Sequence, residues 1–507
     1  MSILREARAA ARARPRPRAA APLLLAAMLA LGACATRPVN PPLAEARTGT
    51  GYTYETRQKY FKSRDNLVIL AFSGGGTRAA AFSYGVLEYL RRTEVVKADG
   101  TRMRLIDNVD IVTGVSGGSF TALSYGLYGE KLFADYEQRF LKRNVQGEII
   151  GRSFNPAYWG DLSSTGWGRS ELAAQLYDEI LFDGATFGDL DRGTGPLIIA
   201  SATDISTGGR VTFGQGTFNL FCSDLSAVKL SRAAAASSAV PVVLSPVTFN
   251  NYGGTCGAKL PAWMEYFANA AEPPRPASRA IRELHDAAVY RDSANHPYVH
   301  LVDGGVSDNL GMRGVLDALS FLEALRDANL PSPLDHVQNI IVFVVNSLSS
   351  PPTNWDQSEQ GPGPIEVLLK SAGVPIDHYS FEAVETLKDT AARWQAMHNV
   401  RELARCDQGQ NTQLCAAVHA PQARIFAIDV SFAALKDTDR AEFDYLNEQP
   451  TSFVLPAEAV DRLRAAAGKI IADSPQFQRL IADAGMKIVA PPAGAASGAA
   501  GGEARKP

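Results

Sequence analysis

The sequence is short of the residues that several common enzyme classes need. It has seven histidines in 507 residues, and none of them stands in an obvious catalytic loop after a late strand. Its five cysteines include no Cys-x-x-Cys pair, so the close ligand spacing of a zinc site is missing. No internal repeat is visible, which argues against a repeat architecture.

The chain also lacks an excess of positive charge. Its net charge is −3, and six of its arginines lie in the first 33 residues with a single glutamate. The rest of the chain carries 44 Lys and Arg against 52 Asp and Glu. Because binding to nucleic acid needs a basic face, this mildly acidic body argues against a nucleic-acid partner.

The sequence also lacks an apolar run long enough to span a membrane, because its N-terminal apolar run is short. The run over 19–31 follows an arginine-rich start and falls below the roughly 20 residues of a membrane span. It is typical of a secretory signal. Leu31-Gly32-Ala33-Cys34 resembles the lipobox of bacterial lipoproteins, which implies a signal peptide over 1–33 and a lipid on Cys34. The alternatives are an uncleaved anchor and a buried cysteine.

Four cysteines remain after Cys34. If the protein is exported, an even number in an oxidising compartment is consistent with two disulfides. Proximity in sequence suggests Cys222–Cys256 and Cys406–Cys415, although three pairings are possible. Plain buried thiols are the alternative.

The body alternates apolar strands with helices, which indicates an α/β layered sheet. We predict a tether over 34–62, a hydrolase domain over 63–435 with an insertion at about 257–297, a helical extension over 436–490 and a disordered tail over 491–507. The predicted strands are 67–72, 109–113, 197–203, 211–213, 298–302, 340–346 and 424–430. The helices predicted for the C-terminal part are roughly 377–405, 456–473 and 475–486.

Ser116 lies in Gly114-Val115-Ser116-Gly117-Gly118, after the strand 109–113 and before an apolar helix. Strand, Gly-x-Ser-x-Gly and helix in this order form a nucleophile elbow. The glycines are needed because the serine sits on a sharp turn where Cβ atoms would clash. A purely structural turn is the alternative.

A second glycine-rich segment, Gly74-Gly75-Gly76-Thr77-Arg78, follows the strand 67–72 and opens a helix. It lacks the Gly-Lys-Ser/Thr of a phosphate-binding loop and the spacing of a dinucleotide fingerprint. Consecutive glycine N–H groups at a helix start favour an oxyanion hole instead. Arg78 adds positive charge, either directly at the site or in a salt bridge that braces the loop.

A serine nucleophile also needs a base. Asp303 ends the strand 298–302 and is followed by Gly304 and Gly305. In parallel sheets, active sites gather at the carboxyl ends of strands, where Ser73, Ser116 and Asp303 are all predicted to lie. A carboxylate base would need a desolvated site, and a histidine base remains the alternative.

These segments, in this order, resemble the patatin-like phospholipases. A further block over 230–241 and the turn at Thr203-Asp204 are similar to the family too, so the resemblance covers roughly 65–345. Val242-Val243-Leu244 departs from the family pattern after Pro241 and leaves chain selectivity open.

The resemblance implies a three-layer α/β/α fold with a mainly parallel central sheet, followed here by C-terminal helices. It also implies a Ser116–Asp303 dyad, an oxyanion segment at Gly74, Gly75, Gly76 and Arg78, and hydrolysis of lipid acyl esters without a metal or other cofactor.

We therefore expect a membrane-tethered phospholipase A-type enzyme in the bacterial cell envelope, facing the periplasm or the exterior. Its partners would be phospholipid or another acyl ester and the membrane. An esterase or thioesterase on other acyl substrates is the first alternative, and a non-catalytic envelope lipoprotein is the second. The oligomeric state stays open.

Overall fold

The computed structural model describes residues 37–164, 167–260, 264–265, 269, 278–327, 330–332, 334–351, 353–417 and 423–489. The predicted signal peptide, Cys34 and the predicted tail over 491–507 lie outside these residues, as do 261–263, 266–268 and 270–277 of the insertion at 257–297.

The main sheet is mixed and mostly parallel. Five neighbouring strands, in the order β10, β9, β1, β4 and β5, run parallel. β6 and β8 pair antiparallel with β5, and β7 pairs antiparallel with β8. A small antiparallel sheet has the order β11, β2, β3. The strands are β1 Asn66–Phe72, β2 Glu94–Val96, β3 Arg102–Arg104, β4 Ile111–Val115, β5 Leu197–Asp204, β6 Arg210–Thr212, β7 Val247–Asn250, β8 Tyr298–Val302, β9 Asn339–Asn346, β10 Arg424–Ser431 and β11 Lys487–Val489.

Helices of very different length connect the strands. The α-helices are α1 Tyr54–Arg57, α2 Gly76–Arg92, α3 Gly117–Tyr128, α4 Leu132–Tyr136, α5 Val145–Phe154, α6 Trp159–Leu162, α7 Arg169–Tyr177, α8 Phe187–Arg192, α9 Gln215–Leu220, α10 Leu230–Ser237, α11 Ser278–Tyr290, α12 Gly305–Asp308, α13 Arg313–Asp327, α14 Pro364–Leu403, α15 Thr412–Ala417, α16 Arg440–Asn447, α17 Ala457–Asp473 and α18 Pro475–Asp483.

Helices cover the sheet, and the chain has the predicted three-layer α/β/α fold. Helix α2 packs against both α3 and α17, and α14 packs against β10 and contacts α13. Strand β1 is buried from Leu67 to Phe72. Covering layers of this kind require near-continuous apolar strands, which is why the sequence marked β1, β4 and β9 clearly.

The C-terminal helices are integral to this fold and do not form an appendage. Helix α17 runs along α2, where a Cβ built on Gly85 would lie 2.5 Å from the carbonyl oxygen of Arg464. Strand β11 pairs with β2 of the small sheet. The boundary predicted at 435 therefore separates segments that share one hydrophobic core, because α2 and α17 pack against each other.

Helix α14 begins earlier than the sequence suggested. The prediction placed a helix at about 377–405, whereas α14 spans Pro364–Leu403 and contains Pro375. A proline has no N–H to donate and usually ends a helix, so its presence moved the predicted start too far along the chain.

The described residues of the predicted tether over 34–62 pack on the body of the protein from Arg37 onward. The side chain of Asn40 donates to the carbonyl of Asn250 at 2.9 Å and accepts from its N–H at 2.8 Å. Further along, the N–H of Leu43 donates to the carbonyl of Cys222 at 2.8 Å. These contacts attach the segment to the end of β7 and to the chain that follows α9.

Two disulfides are present, Cys222–Cys256 and Cys406–Cys415. The first lies beneath the N-terminal segment, where Leu43 and Ala46 pack on it. Within the described residues, the structure contains no helix with both the length and the apolar character to cross a membrane.

Candidate active site

Ser116 stands at the junction of β4 and α3 in a strained backbone conformation. Its φ is 47° and its ψ is −120°, a region that residues with a Cβ rarely occupy. The flanking glycines make the turn possible. A Cβ on Gly114 would lie 2.7 Å from the Cα of Ser119, and one on Gly118 would lie 2.6 Å from the carbonyl oxygen of Ser73. The turn is therefore a nucleophile elbow in geometry as well as in sequence.

A second serine holds the elbow in place. The N–H of Ser116 donates to Oγ of Ser237 at 2.9 Å, and that hydroxyl donates to the carbonyl of Ser201 at 2.7 Å. Ser237 is fully buried at the end of α10. It thus joins the strained turn to β5, a role that the sequence does not reveal because 230–241 contains three serines in one apolar block.

Asp303 lies within hydrogen-bond distance of the serine hydroxyl. Oγ of Ser116 donates to Oδ2 of Asp303 at 2.8 Å, and the N–H of Gly305 donates to Oδ1 at 2.7 Å. The two side chains are 4% and 7% exposed. Burial raises the pKa of Asp303 to about 6, against the opposing effect of the hydrogen bonds from Gly305 and Ser116. A carboxylate with this pKa is ionised at neutral pH and a stronger base than usual.

The route that brings Asp303 to the site differs from the prediction. Strand β8 runs antiparallel to β5, so Asp303 does not follow the carboxyl end of a parallel strand. The two strands overlap only at Thr203–Val302 and Asp204–Leu301. Because the overlap is confined to the end of β5, the chain after β8 still arrives at the catalytic edge. Thr203 fixes it there, since its hydroxyl donates to the carbonyl of Asp303 at 2.9 Å.

The glycine-rich segment adjoins Ser116, but its three glycines differ. The N–H of Gly74 donates to the carbonyl of Asn309 at 2.8 Å, so this donor is not available to an oxyanion. Gly75 and Gly76 have φ values of 136° and 60° and open helix α2. Within the described part of the chain their N–H groups have no acceptor, as expected at a helix start. They are the two donors that the segment can offer.

Arg78 braces this segment and does not point its donors at the dyad. Its guanidinium donates to the carbonyls of Ser347 and Gln449 and to the hydroxyl of Thr451. Burial lowers its pKa to about 10. The contacts correct the placement of Arg78 in the oxyanion hole. They also differ from the salt bridge considered as its alternative, because its acceptors are uncharged.

The chain beyond 345 supplies the contacts that hold the glycine-rich segment. The N–H of Ser347 donates to the hydroxyl of Ser73 at 3.0 Å. The carbonyl of Ser452 accepts from the N–H of Thr77 at 2.8 Å, and a Cβ on Gly76 would lie 2.3 Å from the same oxygen. No local motif could have marked these residues, since each acts through its backbone or an ordinary hydroxyl.

No histidine in the described ranges hydrogen-bonds to Ser116 or Asp303. His300, inside β8, has its Nδ1 3.0 Å from the hydroxyl of Thr248. The described residues also contain no group of three or more His, Cys, Asp or Glu that could hold a metal ion.

A cavity of about 870 Å³ lies at the carboxyl end of β5, where Asp204, Tyr290 and Tyr298 line it. Ser116 and Asp303 are not among its lining residues.

Comparison with known families agrees with the site. Residues 70–316 match the family described as patatin-like phospholipase. These residues belong to that family. The matched range contains the glycine-rich segment, the elbow at Ser116 and Asp303, and it ends before β9 and the C-terminal helices. The name patatin-like phospholipase describes a lipid ester hydrolase, and the observed layers and sheet are those of its fold.

Solved structures similar to this chain include human GIVD cytosolic phospholipase A2, with a TM-score of 0.39 and 13% identity over 85% of this chain and 62% of that chain. The same human protein in complex with methyl gamma-linolenyl fluorophosphonate gives a TM-score of 0.38 and 15% identity, over 85% and 61% of the two chains. This chain thus spans about three fifths of the length of these solved chains. No curated protein matches it.

Proposed function

We propose that the chain is a lipid acyl hydrolase of the phospholipase A type, with Ser116 as nucleophile and Asp303 as general base. The observation that carries the proposal is the 2.8 Å hydrogen bond from Oγ of Ser116 to Oδ2 of Asp303 inside a buried site. A serine hydroxyl is a weak nucleophile until a base takes its proton. The family match over 70–316 supports an ester of a lipid as the substrate.

In the first step, Oγ of Ser116 attacks the ester carbonyl carbon while its proton passes to Oδ2 of Asp303. The carbonyl oxygen becomes an oxyanion, which the N–H groups of Gly75 and Gly76 stabilise. Removing one such donor typically costs about 3 kcal/mol of transition-state stabilisation. When the tetrahedral intermediate collapses, the C–O bond to the alcohol breaks and Asp303 returns the proton to that oxygen.

In the second step, water hydrolyses the acyl-serine. Asp303 takes a proton from the water as its oxygen attacks the acyl carbon, and the proton then returns to Oγ of Ser116. The products are a free fatty acid and the original enzyme. The N–H of Gly305 holds Oδ1 throughout, so Oδ2 keeps its direction toward the serine.

The proposal also places the enzyme on a membrane of the bacterial cell envelope, facing the periplasm or the exterior, with lipid on Cys34. Two disulfides support an oxidising compartment. Arg37 donates to the carbonyl of Thr248 at 3.0 Å, only three positions after Cys34. Three residues span at most about 11 Å, so a lipid at Cys34 would hold the folded body close to the bilayer.

Product analysis tests the activity. Wild-type protein should release fatty acid from phospholipid, while Ser116→Ala and Asp303→Asn should not, with unchanged circular dichroism. Release from neutral glycerides or acyl-thioesters but not from phospholipids would assign an esterase or thioesterase instead. If none of these esters is hydrolysed and a fluorophosphonate leaves Ser116 unlabelled, the catalytic proposal is wrong.

Metabolic labelling tests the tether separately. Labelled fatty acid should enter the wild-type protein and be lost in Cys34→Ala. Absence of label in the wild type would refute lipidation and leave the catalytic proposal intact.

A further inference from the structure

The loop that follows α10 exposes two adjacent valines. Val242 is 69% exposed and Val243 is 56% exposed. Val242 also has a φ of +73°, a conformation that a β-branched residue adopts only under strain. Neither exposure nor strain stabilises the fold, so this pair of side chains is held outward at a cost.

The surrounding contacts fix the loop in this shape. The N–H of Leu244 donates to the carbonyl of Val240 at 2.9 Å and closes the turn. The guanidinium of Arg169, at the start of α7, donates to the carbonyl of Val242 at 2.9 Å. Arg169 is itself exposed, so a fixed positive charge lies beside the two valines.

The loop is continuous with the catalytic machinery. The carbonyl of Ala239 accepts from the N–H of Asp303 at 2.9 Å, and the carbonyl of Ser237 accepts from the N–H of Gly304 at 3.0 Å. Val242 follows three residues after Ala239. Val306, three residues after Asp303, is 39% exposed. Apolar side chains therefore border the site from two segments.

We infer that Val242 and Val243 insert into the surface of a phospholipid bilayer and dock the buried dyad against its substrate. The inference rests on the proposed function and names the surface through which lipid reaches the site. Exposed apolar tips beside a cation are suited to an interface where acyl chains lie under phosphates. A protruding tip also matches a fluid lipid surface better than a shaped protein groove.

A fluorescent label can locate the tip relative to the bilayer. Val243→Cys is prepared in the full chain with Cys34→Ala and labelled with nitrobenzoxadiazole, since the other four cysteines are paired. Leu403→Cys, at an 85% exposed apolar position at the end of α14, is the matched control. Vesicles of phosphatidylethanolamine and phosphatidylglycerol, with and without doxyl-labelled lipid, are then added to each protein.

The label at 243 should shift to the blue and be quenched by the doxyl lipid, and the label at 403 should do neither. No quenching at 243 would overturn the inference, whether or not the protein binds the vesicles. A blue shift that depends on protein concentration without vesicles would also overturn it, because it would assign the tip to a second copy of the chain.

Kinetics gives an independent measure. Val242→Ser/Val243→Ser should raise the vesicle concentration for half-maximal hydrolysis about tenfold, since two apolar side chains are lost from the interface. Val400→Ser/Leu403→Ser should not change it. An unchanged concentration in the first variant contradicts the inference. The label experiment needs no turnover, so failure of the catalytic proposal and failure of this one remain distinguishable.

Discussion

Ser237→Ala should weaken both the nucleophile and the fold. The substitution deletes the acceptor of the N–H of Ser116 and the donor to the carbonyl of Ser201, and both groups lie inside the protein. An unsatisfied buried N–H costs about 1–3 kcal/mol, whereas the carbonyl loses less because it has a second lone pair. We expect the free energy of unfolding to fall by about 1–3 kcal/mol.

The effect on rate follows from the strained turn. Ser116 keeps its φ of 47° only while the surrounding contacts hold it there. Without the bond to Ser237 the peptide relaxes and Oγ moves relative to Asp303. A displacement of about 1 Å can cost about 100-fold in rate, so kcat on a soluble ester should fall by that order.

Ser124→Ala is the matched control. Ser124 lies on α3, its hydroxyl is buried, and it has no hydrogen-bond partner within the described residues. Its loss should leave kcat and stability near the wild-type values. Urea unfolding and steady-state kinetics on both variants decide the point. If Ser237→Ala retains kcat within about twofold, the bond to Ser237 does not position the nucleophile.

Three further predictions concern charge and close packing. Below pH about 6, kcat/KM should fall about tenfold per pH unit as Asp303 gains its proton, and a flat pH profile would exclude Asp303 as the base. Asp303→Asn should lower kcat by about 10²–10⁴. Burial raises the pKa of Asp110 to about 7 from 3.8, so the folded state binds the proton more tightly and the free energy of unfolding should fall as pH rises from 3.8 to about 7. Urea unfolding should find a smaller fall in Asp110→Asn, and an equal dependence on pH in both proteins would refute the prediction. Gly117→Ala should lower kcat at least about 100-fold, because its Cβ would lie 2.0 Å from the carbonyl oxygen of Gly76. Gly373→Ala is the control and should leave kcat unchanged, because its Cβ would meet no described residue outside its own helix turn within 4 Å. Equal rates for both variants would show that the backbone at Gly117 shifts to make room.

The parts of the site that depend on local geometry could be predicted from the sequence. An apolar strand followed by Gly-x-Ser-x-Gly leaves few other conformations, and Ser116 occupies the expected turn. The position of Asp303 after a predicted strand made it a candidate, but the sequence did not show that β8 runs antiparallel to β5. A short apolar run reads the same in either direction, and only the pairing partner decides whether it is parallel. Because β8 overlaps only the end of β5, the chain after β8 reaches the same edge of the sheet that a parallel strand would have reached.

The roles of single donors could not be predicted, because each depends on a partner distant in sequence. Gly74, Gly75 and Gly76 are equivalent as letters, yet Asn309 takes the N–H of only the first. Three serines occupy 230–241, and only its hydrogen-bond partners in the fold distinguish Ser237 from the other two. Periodicity assigns a face to a residue, whereas hydrogen-bond partners are set by how the elements pack.

The family match ends at 316, but residues beyond that boundary make contacts that hold the candidate site together. Arg78 is buried, and two of its three acceptors, Gln449 and Thr451, belong to the segment between α16 and α17. Removing that segment would leave a buried cation short of partners, a loss that costs several kcal/mol. It would also free the N–H of Thr77, next to the N–H groups of Gly75 and Gly76 that we propose as oxyanion donors. The C-terminal region is therefore a structural part of the active site, because it holds the glycine-rich segment against Ser116.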